Sequence, residues 1–123
     1  MNLIQEYIVL ATEITCFNEY DNKNSVKEYN RKATRMRNIA TEIEQKYPEF
    51  KNEFCELLAH ENKKIRLWVA HHILEVMNCD KIHRKAALCE IRYNARTDKT
   101  ANGFGEKLWL KDWYKTHPMD RWI

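Results

Sequence analysis

The chain has 123 residues, enough for one domain with a real core that needs neither disulfides nor a metal to hold it together. Hydrophobic residues make up 44% and charged residues 32%, which excludes a disordered chain, and two Gly with two Pro are too few for a turn-rich β-sandwich. The net charge of +3 comes from 21 basic and 18 acidic side chains that are largely interleaved, so charge alone compels neither nucleic-acid nor membrane binding.

At the N-terminus, Glu6 interrupts the chain before any apolar run, and Tyr7 to Ala11 is far shorter than a signal or spanning segment. The expectation is a cytoplasmic protein with no membrane contact. Leu3, Tyr7, Ile8, Ala11, Ile14 and Phe17 recur at steps of one, three and four, giving the apolar face of a first helix that ends near Asp21-Asn22-Lys23-Asn24-Ser25, a polar cluster read as loop and N-cap. The second helix carries Val26, Tyr29, Ala33, Met36, Ala40, Ile43 and Tyr47 until Pro48 stops it. That period suits a bundle or solenoid core and, over a longer run, a coiled coil.

Phe50, Phe54, Leu57 and Leu58 mark a short third helix closed by His60-Glu61-Asn62. The fourth, Lys63 to Asn78, is apolar over most of its circumference and leaves a narrow polar strip at Lys64, His71 and Glu75, which predicts a helix covered on several sides. Asp80 is placed to N-cap a fifth helix whose inner face is Ile82, Ala86, Cys89 and Tyr93, ending near Thr97-Asp98. Gly103 and Gly105 loosen the start of a last helix, on which Phe104, Leu108, Trp109 and Trp113 are expected to pack before His117-Pro118. The reading is a single all-α domain over residues 1–123, of about six helices in stacked antiparallel hairpins around the fourth, with a tail at 118–123 on which Trp122 is the residue able to dock.

Chemistry-bearing patterns are sparse. Cys16, Cys55, Cys79 and Cys89 form no C-x-x-C pair and read as reduced core thiols. His60, His71, His72 and His83 lack acids or thiols at ligand spacing, and adjacent His71 and His72 point about 100° apart on a helix, so no metal is expected. His72 falls in the apolar arc as a core histidine. Cys79 has Asp80 and His83 nearby in sequence, but adjacency is not a triad; with no G-x-S-x-G, Gly-rich phosphate loop or H-E-x-x-H, the chain reads as neither an enzyme nor a cofactor binder.

Two surfaces are candidates for partner contact. One is the Lys64, His71 and Glu75 strip bordered by Trp68, read either as an interface with an aromatic anchor or as an ordinary exposed strip. The other is the fifth-helix stripe of Lys81, Lys85, Arg92 and Arg96, which lie within roughly 60° of one another and read as an outward-facing site for phosphates or acidic protein, or as solvated surface. Arg31, Arg35, Glu28, Asn38, Glu42 and Lys46 on the second helix read as solvent-facing, with Glu42 and Lys46 in the favourable order for a surface pair.

Three stretches, Lys27-Glu28-Tyr29-Asn30-Arg31-Lys32, Leu57 to Ala70 and Gly105-Glu106-Lys107-Leu108-Trp109-Leu110-Lys111-Asp112-Trp113, resemble small bacterial HEAT-like domains long grouped as a domain of unknown function. The resemblance spans roughly residues 26 to 113 and rests on an Asn in the second helix, a hairpin with an Arg on its second helix and a final W-L-x-x-W helix; it implies a HEAT-like α-α superhelix that binds macromolecules. Small proteins of this type resemble immunity proteins of contact-dependent growth-inhibition and polymorphic toxin systems. What that implies is a protein that neutralises a cognate protein toxin by steric block; the chain is expected to be monomeric when free. The alternatives are a nucleic-acid binder using the basic stripe and a structural adaptor.

Overall fold

In the computed structural model, residues 1–15 and 23–123 are described; they hold six α-helices and no strand. These are α1 (Leu3–Thr15), α2 (Lys23–Lys46), α3 (Lys51–Glu56), α4 (Lys63–Glu75), α5 (Lys81–Thr97) and α6 (Ala101–Thr116), with 3-10 turns at Pro48–Phe50, Leu57–Ala59 and Pro118–Trp122. Phe17 and Cys16 lie outside the described residues, as do Asp21 and Asn22. Lys23 to Ser25, expected in a loop and N-cap, instead form the first turn of α2.

Caps explain where the helices after α3 begin. The Asn62 side chain accepts from the amides of Lys64 and Ile65 at the head of α4, Asp80 accepts from His83 at α5, and Thr100 accepts from Asn102 at α6. α4 is shorter than its apolar run, ending at Glu75 with Val76 as cap. It is the central helix. It packs against α5, α1, α2 and α3, and buries Ile65, Val69, Ala70, His72, Ile73 and Leu74. α5 packs in turn on α6, and α6 on the C-terminal turn. Neighbours run antiparallel: Lys63 at the head of α4 meets Asp98 past the end of α5 (3.4 Å), and Arg66 Nε donates to Glu90 (2.8 Å). Arg66 also donates to the carbonyls of His60 and Glu61, tying the loop before α4 to its own helix.

Three expectations about packing are corrected. On α5 the inner face is Ala87, Leu88, Ile91, Asn94 and Ala95, while Ile82 is 78% and Tyr93 52% exposed and Ala86 and Cys89 also face out. Two apolar arcs share this helix, and α4 selects the one with small residues at 87 and 95, which let the helices approach closely. Cys89 is therefore no core thiol, unlike Cys55, and Cys79 is half-buried. On α6, Trp109 and Trp113 pack against the core, but Phe104 (62% exposed) and Leu108 do not.

Gly103 does more than loosen the helix. A Cβ there would stand 1.9 Å from the Asp98 carbonyl oxygen, so glycine lets α6 close onto the end of α5, whereas a Cβ on Gly105 meets nothing within 4 Å. Residues 118–123 are not a loose tail. Trp122 stays 80% exposed, and the anchor is the buried Asp120, whose carboxylate accepts from Trp113 Nε1 (2.8 Å) and pairs with Arg84. The outer face of α2 is likewise less solvated than expected: Arg35 grips Glu6 of α1 through two bonds of 2.7 and 2.8 Å and also draws Glu42 (3.6 Å), and no Glu42–Lys46 pair forms among the described residues. Among the described residues, no helix is long and apolar enough to cross a membrane.

Candidate functional site

A cleft of about 620 Å³ opens between α1, α2, α4 and the head of α6, and all four strip residues of α4, Lys64, Trp68, His71 and Glu75, line it. One helical face brings them together because they recur at three and four residues. The facing wall comes from Tyr29, Ala33 and Arg37 of α2 and from Asn102, Gly105 and Glu106 of α6.

The lip of the cleft is a closed electrostatic network. His71 Nε2 lies 2.7 Å from Glu106 and Nδ1 lies 3.3 Å from Glu75, while its ring meets Trp109 edge-on at 4.5 Å. Burial opposes charge on this imidazole, but the carboxylates of Glu106 and Glu75 outweigh it and raise the pKa to about 9, so both ring nitrogens donate at neutral pH. Glu75 accepts from His71, from Arg37 (3.0 Å) and from Trp109 Nε1 (3.1 Å); the His71 bond leads in holding its carboxyl down at about 2, against desolvation. Three helices are thus joined through two side chains of α4.

The floor is aromatic. Trp68 leans on Tyr29 at 6.3 Å and on His72 at 5.9 Å. Burial pushes His72 down to about 4 and pushes the Tyr7 phenol well up, so both are neutral at pH 7 and share a hydrogen bond of 2.7 Å between the Tyr7 hydroxyl and His72 Nδ1. His72 is the core histidine expected. Lys64 is exposed at the rim and makes no ion pair among the described residues. The site combines an apolar, aromatic floor with fixed charges of both signs at its lip, which suits recognition of a mixed polar and apolar surface.

The basic stripe on α5 does not stay together. Lys81, Lys85 and Arg96 are exposed, and Arg96 lies over the Tyr93 ring at 5.7 Å. Arg92, expected to face outward with them, is half-buried: it donates to Tyr114 Oη (2.8 Å) and to the carbonyls of Ile123 (2.7 Å) and Asp120 (2.6 Å). It holds the C-terminal turn against α5, because from the flank of the helix its guanidinium reaches the carbonyls at the end of that turn.

Reasoning from sequence missed Arg37 and Glu106 as members of the cleft and Trp109 as a partner of its lip, since nothing in local spacing says that helices two and six face the fourth. The W-L-x-x-W pattern was the available signal: Trp109 stacks on Trp113 (4.9 Å) and Trp113 on His117 (3.8 Å), an aromatic ladder with Trp109 against His71. Among the described residues, no three His, Cys, Asp or Glu side chains are grouped to hold a metal. His60 accepts from the Asn62 amide and His83 sits 2.9 Å from Asp80, each engaged locally.

No curated protein and no solved structure matches the chain. A family does: DUF2019, a domain of unknown function, matches residues 3–98, which covers α1 through α5 and the floor of the cleft, and the chain belongs to this family.

Proposed function

We propose that this DUF2019 protein is a macromolecule-binding module, an immunity protein that neutralises a cognate protein toxin by steric block, and that the α4 cleft receives part of the toxin surface. The observation that carries the reading is the cleft itself: Trp68 on its floor, with His71 and Glu75 locked to Glu106, Arg37 and Trp109 at its lip. A wall whose rotamers are already fixed loses little entropy on binding, and such pre-organisation is what a fast, tight inhibitor requires. The antiparallel order of α4, α5 and α6 supports a HEAT-like superhelix, in which the exposed side of each hairpin is free to act as a binding face.

Exposed Ile82, Tyr93, Lys85 and Arg96 on α5 form a second, open face outside the residues that line the cleft, and we assign it a peripheral part in the same interaction. Rim charges set association rate more than affinity. The test is co-expression with the toxic product of the gene beside its own. Growth restored by the wild-type chain, with a stable complex of the two purified proteins, supports the proposal; a purified pair that does not associate, or a toxin that kills regardless, overturns it. If instead the chain binds DNA or RNA at low salt with a steep salt dependence, the basic residues of α5 serve a nucleic-acid binder.

A further inference from the structure

Outside the cleft lining, Cys55 of α3 and Cys79, in the turn between α4 and α5, place their sulfurs 3.9 Å apart. A cavity of about 240 Å³ opens onto both, lined also by Lys51, Asn78, Asp80 and His83, so a small solute reaches them. The surroundings treat the two thiols differently. Cys55 is buried, and its pKa is raised by the hydrogen bond to Cys79 and by burial. Cys79 is half-buried and its pKa is lowered, first by the Cys55 hydrogen bond and, against desolvation, by the Lys51 ammonium, while the carboxylates of Glu44 and Asp80 oppose the effect. Cys79, the more exposed of the two, is the sulfur a solute meets first, and buried Cys55 lies behind it within contact, the arrangement in which one thiol of a pair is attacked and the other waits.

We propose that Cys79 and Cys55 form a peroxide-responsive thiol pair in which Cys79 is oxidised first and Cys55 resolves it into a disulfide. The Cys79 thiolate attacks one oxygen of hydrogen peroxide; an S–O bond forms, the O–O bond breaks, and hydroxide leaves, giving a sulfenic acid. Cys55 then attacks that sulfur. The S–S bond forms, the S–O bond breaks, and the hydroxyl departs as water with the Cys55 proton. The sulfurs close from 3.9 Å to a bonded distance of about 2.05 Å, a shift within reach of a turn residue. Lys51 and Glu44 hold the turn in place meanwhile: Lys51 Nζ donates to the Asn78 carbonyl (2.7 Å) and the Asn78 amide donates to Glu44. The product links α3 covalently to the α4–α5 turn.

The test treats fully reduced wild-type protein with hydrogen peroxide and maps thiols by peptide mass spectrometry over time. The expected result is a 55–79 cross-linked peptide lighter by two hydrogens, formed several-fold faster than exposed Cys89 is oxidised, with a higher thermal midpoint that reductant reverses. In Cys55→Ser, a sulfenic acid should persist at Cys79 and be trapped by dimedone. Oxidation of Cys79 no faster than of Cys89, pairing of either residue with Cys16 or Cys89 instead, or oxidation beginning at Cys55 would overturn the proposal. The wild-type map decides even if the serine variant does not fold.

Discussion

Two strips that look alike in sequence end up in opposite circumstances. On α4, Lys64, Trp68, His71 and Glu75 converge on a cleft whose lip charges are paired across three helices. On α5, Ile82, Lys85, Cys89, Tyr93 and Arg96 face out with no helix over them, while Arg92 has been drawn away to hold the C-terminal turn. Spacing places residues on one face of a helix, but only the neighbouring helices decide whether that face is a wall, a core or a surface.

The sharpest way to break this contrast is at two isoleucines. Ile73→Ala, in the core of α4, should cost about 2–5 kcal/mol, whereas Ile82→Ala, on a helix face that sequence periodicity assigned to the core, should change stability by less than about 0.5 kcal/mol. Denaturant unfolding of both variants checks it, and comparable losses would mean that α5 packs in the other phase.

The glycines give the next effect. Gly103→Ala drives a methyl into the Asp98 carbonyl and should cost about 1–3 kcal/mol, while Gly105→Ala has open space and should gain up to about 1 kcal/mol from helix propensity. Thermal midpoints that move together would contradict the close approach of α6 to the end of α5.

The adjacent histidines should titrate in opposite senses. His71 has a folded pKa of about 9 against 6.5, so its stabilisation is fully present below pH 6.5 and is lost as pH rises through about 9. His72 has a folded pKa of about 4, so its neutral form favours the fold above pH 6.5 and that contribution falls as pH drops from 6.5 towards 4. Glu75 adds stability above pH 4.5 that is lost as pH falls through about 2. Ring-proton NMR should resolve the two histidine midpoints on either side of 6.5, and Glu106→Gln should lower that of His71 alone. A His71 midpoint unmoved by Glu106→Gln would deny the lip network.

Much of the fold was legible because it rests on local chemistry: Asn62, Asp80 and Thr100 cap the helices they precede, and the nearly all-apolar circumference of α4 announces a central helix. The α4 half of the cleft was legible for the same reason. The phase of α5 was not, because Ile82, Ala86, Cys89 and Tyr93 offer an apolar arc as regular as Ala87, Leu88, Ile91 and Ala95, and the choice falls to close packing with α4. Nor were Arg37 and Glu106, whose roles depend on which helices α4 faces, or Arg92, which looks like its basic neighbours until Asp120 and Ile123 fold back onto it.

The smallest effect on the fold is expected from Lys85→Glu with Arg96→Glu, two exposed reversals that should leave stability within about 0.5 kcal/mol. That double variant and Gly105→Trp together test the central claim most directly, in cells co-expressing the toxin. Gly105 lines the cleft and a Cβ there meets nothing within 4 Å, so a tryptophan at this position is expected to crowd the proposed binding wall, with far-UV circular dichroism checking that the helical fold is kept. Growth rescue should collapse with Gly105→Trp and survive, more slowly established, with the reversed α5 charges. Full rescue by a folded Gly105→Trp protein, with rescue abolished by the α5 reversals, would move the binding face from the cleft to α5 and contradict the account.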